Sequence, residues 1–161
     1  MFVLTGCATY QPTIPEGYNG PRATIKDSAK VHSTSKADFF FVTHVNKNGV
    51  ESSLIRTRQV NYGRGMYMEP QVLQHEIPAQ STTINIVGRT EYAAPILAFT
   101  NPVYEVKGVI DFTPEPNKTY VVRGDLGKDY SAVWIEDESS NAVVGQKIEI
   151  KGSAELGILQ K

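Results

Sequence analysis

The side chain with the most distinctive chemistry in this sequence is the thiol of Cys7, the only cysteine among the 161 residues. A thiolate is a strong nucleophile, whereas a lone cysteine without activation behaves as a small, inert apolar residue. Thr5 and Gly6 stand directly before Cys7, and Leu4 precedes them. Small side chains at these two positions leave the backbone beside the cysteine accessible.

Residues 4–7 (LTGC) resemble a lipobox, the motif at which bacterial lipoproteins receive diacylglycerol on the cysteine sulfur and lose the preceding segment. The resemblance implies that Cys7 is the lipidation site and the first residue of the mature chain. Three residues precede Leu4, fewer than the roughly 7–15 apolar residues of a secretory signal, so we expect residues 1–7 to be a truncated lipoprotein signal with its lipobox. Ala8 stands where an aspartate marks retention in the inner membrane, so the resemblance implies the outer membrane, with the domain in the periplasm.

Acylation of Cys7 predicts a protein that is anchored to a membrane and does not span it. Each buried CH₂ of a lipid chain contributes about 0.8 kcal/mol, so one chain binds marginally whereas two or three hold firmly. No other part of the sequence approaches the roughly 20 apolar residues of a membrane helix. With the thiol consumed by lipid, neither a disulfide nor a thiolate metal site is expected.

The three histidines, His32, His44 and His75, are the remaining side chains that could bind a metal or act as a base. None has a neighbouring His or Cys at metal-ligand spacing, so we predict no metal site and no cofactor. His44 is expected in a strand, partly buried, and the other two are expected in solvent. The G-x-S-x-G elbow of hydrolases is missing, so no catalytic residue is assigned. A triad is recognised by geometry rather than by sequence, so a hydrolase of envelope glycan or peptide stays an alternative.

Arginines and tyrosines between positions 56 and 92 are the candidate partner-binding residues. Both residue types combine a large contact area with directional donors, and they dominate binding hot spots. A solvated or sheet-packing role is the alternative for each of them. The candidate set consists of Arg56, Arg58, Tyr62, Arg64, Tyr67, Arg89 and Tyr92.

Length and charge limit the classes of function. The chain is long enough for one domain with a single core. Its 16 basic and 17 acidic residues give a net charge of -1, so the chain lacks the positive electrostatic potential that non-specific binding of nucleic acid requires. Residues 8–20 are rich in Thr, Pro and Gly without periodicity and are predicted to form a flexible tether. Residues 21–161 are predicted to form the folded domain.

The sequence pattern of the folded domain predicts strands separated by turns. Residues 38–46 carry apolar side chains on both faces, which predicts a central strand, and Asn48-Gly49 predicts the hairpin turn after it. Residues 52–62 break the alternation between Ser52 and Gly63 and are predicted to form one short helix. Further strands are predicted at 82–88, 93–99, 104–112, 120–126, 132–137, 142–144 and 147–151. These spacings indicate an all-β fold, an antiparallel sandwich or small barrel.

The stretch 112–122 (FTPEPNKTYVV), followed by Trp134-Ile135-Glu136-Asp137 and Val143-Val144, resembles a recurring ending of small bacterial envelope lipoproteins. These families have an immunoglobulin- or transthyretin-like β-sandwich, in which a P-G-K-x-Y turn launches a strand. Asn117 stands here in place of the glycine, and asparagine also tolerates left-handed φ. The resemblance implies an outer-membrane lipoprotein with a β-sandwich domain and implies no chemistry.

The sequence therefore favours a membrane-anchored lipoprotein that acts as a non-enzymatic binding or structural module in the bacterial envelope. Its expected partners are the membrane, through the lipid anchor, and an envelope protein or the cell-wall polymer. The alternatives are the periplasmic hydrolase and a lipid-binding β-barrel. An active-site cleft, a large apolar cavity and a filled core distinguish the enzyme, the lipid carrier and the binding module, respectively.

Overall fold

The computed structural model of the chain describes residues 9–161, which form ten strands, two short helices and one 3-10 turn. The strands are β1 (Arg22–Lys26), β2 (Ser28–Ser33), β3 (Lys36–Val45), β4 (Asn48–Gly49), β5 (Gln74–Pro78), β6 (Thr82–Tyr92), β7 (Glu105–Phe112), β8 (Thr119–Asp125), β9 (Tyr130–Asp137) and β10 (Val143–Lys151). The helices are α1 (Ser53–Val60) and α2 (Pro95–Thr100), and the 3-10 turn spans Ile158–Gln160. Within the described residues, no helix is long and apolar enough to cross a membrane.

Two sheets pack face to face, which confirms the predicted all-β sandwich. The first sheet has the order β10-β9-β8-β1-β5, and the second has the order β2-β3-β6-β7, with β4 paired to β3. All pairings are antiparallel except β1 with β8, where Ile25 lies opposite Tyr120 in a parallel register. The strand β3 lies between β2 and β6, so the predicted central strand is confirmed.

Side chains from the facing sides of both sheets fill the space between them. The first sheet contributes Ile25 and Val122 and the second contributes Val42, Ile84 and Ile110, all of them fully buried. Alternation along β7 determines this arrangement, because Ile110 points inward and the neighbouring positions 109 and 111 are exposed. The predicted core face of residues 104–112 is therefore confirmed.

The hairpin after β3 closes two residues earlier than the sequence analysis predicts. Asn46 and Lys47 have φ values of 48° and 72°, whereas Asn48 pairs back with Val45 in β4. A two-residue turn needs positive φ at both central positions, and asparagine tolerates it. The side chain of Asn46 also accepts a hydrogen bond from the backbone nitrogen of Thr83, at 2.9 Å, which secures the turn against β6.

The helix predicted near residues 52–62 is confirmed as α1. Ser52 is its N-cap and accepts a hydrogen bond from the backbone nitrogen of Ile55, and Gly63 follows the helix with a φ of 80°. The helix packs on the side of the second sheet that faces away from the shared core. Its Leu54 joins a separate apolar cluster with Ala37, Phe39, Phe41 and Met68.

The strand predicted at residues 93–99 is wrong, because these residues form α2 and the segment leading into it. Pro95 occupies the first turn of the helix, where its fixed φ is favourable and its missing N–H is not needed. The side chain of Asn101 donates to the carbonyl of Leu97, at 2.9 Å, at the other end. The apolar residues between them are typical of a strand as well as of a helix, so the pattern misled the prediction.

Left-handed backbone conformations occur at the turn before β8 and inside β10. Asn117 has a φ of 62°, which confirms the left-handed conformation expected at this turn. The predicted strands 142–144 and 147–151 are one strand, β10, with an irregular register between Val144 and Ile148. Gly145, with a φ of 68°, provides the conformation that this bulge needs.

The described part of the predicted tether contacts the domain. The backbone nitrogen of Gln11 donates to the carbonyl of Gly49 at 3.1 Å, and the side chain of Asn48 donates to the carbonyl of Pro12 at 3.1 Å. The hydroxyl of Thr13 donates to the carbonyl of Glu76 in β5. Residues 11–13 thus lie along the end of the sandwich next to β4, and the flexible tether as a whole stays a prediction.

Candidate functional site

A groove lies on the side of the second sheet that carries α1. One wall is the end of α1 with the loop after it, the other wall is α2, and the last residues of β6 form the floor. The groove has a volume of about 490 Å³, which is within the range of ligand-binding sites. We treat this groove as the candidate binding site.

Most side chains around the groove are apolar or aromatic. These residues come from four separate segments, and the cluster under α1 contributes the buried Met68. An apolar lining favours a ligand with apolar groups of its own. The lining includes Tyr62, Met68, Tyr92, Ala93, Ala94, Pro95, Ala98, Phe99 and Val103.

The charged side chains of the groove are paired. Arg58 donates two hydrogen bonds to the carboxylate of Glu91, at 2.6 and 2.8 Å, and these bonds raise the pKa of the guanidinium. The adjacent Arg89 donates to Glu105 at 2.6 Å. Burial alone would raise the pKa of Glu105, but the hydrogen bonds from Arg89 and Lys107 outweigh it, and the pKa lies below its usual value. The groove therefore presents neutralised ion pairs and no excess charge.

The C-terminal segment closes one end of the groove. Lys161 lines it, with its ammonium group buried and donating to the carbonyl of Asn101 at 2.8 Å. Arg89 also reaches the carbonyl of Gln160, at 3.4 Å. Six residues before Lys161, Glu155 forms an antiparallel bridge with Tyr104, next to β7. Residues more than 100 positions apart are thus brought to one site.

Large apolar side chains stand exposed around the groove. Tyr62 is 92% exposed on the α1 side, whereas Ile96 and Phe99 of α2 are 61% and 55% exposed. Leu159, on the 3-10 turn beside Lys161, is 99% exposed. Grouped apolar exposure of this kind is unfavourable in water and marks interaction surfaces.

The helix α2 has no buried residue although it consists largely of apolar side chains. A helix of six residues is too short to be stable alone, so packing against other groups must contribute. In the structure Leu97 and Ala98 are half-buried, and Ala98 and Phe99 line the groove. An additional surface against α2 would bury apolar area that is now exposed.

The structure brings together four of the seven predicted recognition residues. Arg58, Tyr62, Arg89 and Tyr92 line the groove. The other three lie outside its lining: Arg56 pairs with Glu51 at 2.7 Å, Arg64 pairs with Glu69 at 3.1 Å, and Tyr67 is half exposed.

The sequence analysis missed α2 and the C-terminal segment as parts of the site. Pro95 followed by four apolar or small residues was the signal available for α2, because proline is common at the first helical position. The role of Lys161 depends on a contact with Asn101, 60 positions away, and has no local signal.

The histidines lie apart from the groove lining. His32 binds the buried carboxylate of Asp38, with Nε2 at 2.7 Å from Oδ2. His44, predicted to be partly buried, is exposed and contacts the hydroxyl of Thr43. His75, predicted in solvent, is half buried in a shallow depression beside Glu51, and burial lowers its pKa. His44 is exposed because the register of β3 against β6 shifts between Val42 and His44, so that Val45 takes the next core position. His75 lies beside residues 10–13 of the N-terminal segment.

Within residues 9–161, no group of three or more His, Cys, Asp and Glu side chains is arranged to hold a metal ion. Cys7, the predicted lipidation site, lies outside the described residues. Neither a protein family, nor a curated protein, nor a solved structure matches this chain at a significant level of similarity.

Proposed function

We propose that this protein is a lipoprotein of the bacterial outer membrane, anchored through acylated Cys7, whose domain binds a partner in the envelope without catalysis. The observation that carries the binding role is the groove between α1 and α2, where apolar lining and exposed apolar rims coincide. The four-residue lipobox resemblance supports the anchor and the location.

The partner that fits the groove best is an uncharged, apolar segment of another envelope protein. The two arginines of the lining are already hydrogen-bonded to glutamates, so an anionic ligand would compete with an internal carboxylate for each guanidinium. Tyr62 and Phe99 offer aromatic surface for apolar side chains. The cell-wall polymer, which is polar and carries carboxylates, would find few free donors here.

Filled packing between the sheets supports a binding module rather than a lipid carrier. Fully buried side chains from both sheets meet there, including Phe40, Ile86, Val122 and Ile135. A lipid chain would need room that these residues occupy. The groove is open and lies on the outside of the second sheet, which suits a protein segment.

Photo-crosslinking in the native envelope tests the binding role. A photoreactive residue at Phe99, on the rim of the groove, should yield a defined crosslinked protein. The matched control is Val143 in β10, which is apolar and comparably exposed but belongs to the first sheet. Equal adducts from both positions, or a muropeptide adduct from Phe99, would contradict a protein partner at the groove.

Acylation is tested separately. Expression behind a complete signal sequence should give palmitate-labelled protein in the detergent phase, and Cys7→Ser should give unlabelled, soluble protein. Equal labelling of both forms would remove the anchor from the proposal. The purified domain should also show no turnover of ester, peptide or muropeptide substrates.

A further inference from the structure

The N-terminal segment and the groove lie at opposite ends of the longest strands of the second sheet. Residues 11–13 contact β4 and β5, and Gly49 of β4 pairs with His44 near the end of β3. At the start of β3, Lys36 pairs with Tyr92, which lines the groove. The carbonyl of Thr34, just before β3, accepts a hydrogen bond from Met68, another lining residue.

The length of β3 sets the distance between these two ends. Thr34 and His44 are ten positions apart, and a strand rises about 3.3 Å per residue, so the two ends are separated by about 30 Å. Three hydrogen bonds, from Gln11, Asn48 and Thr13, hold the N-terminal segment at the end of the sandwich next to β4, where His44 lies.

Covalent geometry then limits how far the domain can lie from a lipid on Cys7. Gln11 is four positions after Cys7, and a fully extended chain of that length spans at most about 14 Å. A fully flexible tether over residues 8–20, extended at about 3.1 Å per residue, would reach a few tens of ångströms. That reach is not available while residues 11–13 stay bound to the domain.

We infer that the bound N-terminal segment orients the anchored domain, with the β4 end held against the bilayer and the groove presented about 30 Å further out. The inference rests on the proposed anchor at Cys7 and on the groove as the binding site. It deepens the choice of partner, because a groove held in this way faces the aqueous space. The partner segment therefore belongs to a protein that reaches the groove from outside the anchoring bilayer.

Energy transfer to the bilayer tests this orientation without relying on acylation in the cell. The full chain is coupled through the sulfur of Cys7 to a maleimide lipid in nanodiscs that carry acceptor-labelled lipids. A donor dye is attached to azidophenylalanine placed at position 44 in one sample and at position 34 in the other. Both positions are exposed, and they mark the two ends of β3.

We expect several-fold more efficient transfer from position 44 than from position 34. Equal transfer from the two positions, or stronger transfer from position 34, would overturn the inference. The result is independent of the proposed function, because chemical coupling replaces the cellular anchor and no partner is present.

A release variant tests whether the bound segment causes the orientation. Asn48→Ala combined with Thr13→Ala removes two of the three hydrogen bonds that hold residues 11–13. The ratio of transfer efficiencies should then approach one while the unfolding transition stays cooperative. An unchanged ratio in the folded variant would show that other contacts set the orientation and would contradict the inference.

Discussion

The carboxylate of Asp27 accepts two hydrogen bonds from Ser53, one from its backbone nitrogen at 2.9 Å and one from its hydroxyl at 2.7 Å. The same carboxylate accepts a third from the backbone nitrogen of Val42, at 2.9 Å. Asp27 lies between β1 of the first sheet and β2 of the second, and its side chain bonds β3 and the start of α1, so this one residue connects both sheets to the helix. Burial is the dominant influence and raises the pKa of Asp27 to about 6 despite these bonds.

The first prediction is a pH dependence of stability that originates at Asp27. Because its pKa is higher in the folded state than the usual value of 3.8, the folded state binds the proton more tightly. The free energy of unfolding should therefore fall as the pH rises from about 4 to about 6. A pKa that rises from 3.8 to about 6 on folding corresponds to a loss of about 3 kcal/mol in the free energy of unfolding over this pH range.

Asp27→Asn is the control, because asparagine does not titrate. Its lost hydrogen bonds lower stability at every pH, but the difference from the wild type should shrink by up to about 3 kcal/mol between pH 4 and pH 7. Urea unfolding at several pH values measures this difference. A constant difference, or one that grows with pH, would contradict the raised pKa.

The second prediction concerns the close contact of β8 with β9 and Phe40. A Cβ atom on Gly124 would lie 2.4 Å from the carbonyl oxygen of Ala132 and 2.4 Å from the ring of Phe40. Gly124→Ala should therefore cost at least about 3 kcal/mol, because backbone cannot move aside. Gly157→Ala is the matched control, since its nearest neighbour would be 3.5 Å away. Similar melting temperatures for the two variants would exclude this packing.

The third prediction tests the register of β7. Ile110 is fully buried and Phe112 makes an edge-to-face contact with Tyr120, with ring centroids 5.2 Å apart. Replacing either residue by Ala should lower the free energy of unfolding by about 2–5 kcal/mol. Lys107→Ala should change stability by less than about 0.5 kcal/mol, since that side chain is 72% exposed. The midpoint of urea unfolding is measured for all three variants. Similar midpoints would mean that the register of β7 is wrong.

The fourth prediction concerns Asp38, whose buried carboxylate accepts hydrogen bonds from the hydroxyl of Thr90 and from His32, each at 2.7 Å. His32→Ala leaves one carboxylate oxygen without a protein donor and should cost about 1–3 kcal/mol. In an Asp38→Ala background the same change should cost much less, and a double-mutant cycle of unfolding free energies measures the coupling. Strict additivity would show that the pair contributes no stability.

Local patterns were sufficient to predict much of the sandwich. Alternation identified the buried side of β7, because in a strand with one solvent-exposed face every second side chain points to the core. Val106 and Ile110, four positions apart, both lie on that core side. Cap and stop residues identified α1 for a similar reason, since Ser52 and Gly63 act within one turn of the helix.

Contacts between distant segments could not be predicted in the same way. The groove depends on Arg58, Glu91 and Lys161, which lie in separate parts of the sequence. Which arginines are neutralised also depends on this packing, because Arg58 meets Glu91 only when α1 lies over β6. The parallel pairing of β1 with β8 is likewise a long-range choice with no local signal.

The fifth prediction addresses the central claim, that the groove is where a protein partner binds. An acidic side chain on its apolar rim should oppose binding through desolvation, so Phe99→Asp and Tyr62→Asp should each weaken partner association at least about tenfold. Val143→Asp, on the first sheet, is the matched control and should leave the affinity unchanged. All three positions are exposed, so folding should be retained in each variant.

The most direct measurement is the affinity of the wild type and these three variants for the protein crosslinked from Phe99, determined by titration calorimetry. The account predicts a tenfold or greater loss for Phe99→Asp and Tyr62→Asp and none for Val143→Asp. Unchanged affinity in both groove variants, or an equal loss in the Val143→Asp control, would contradict the assignment of the groove as the binding site.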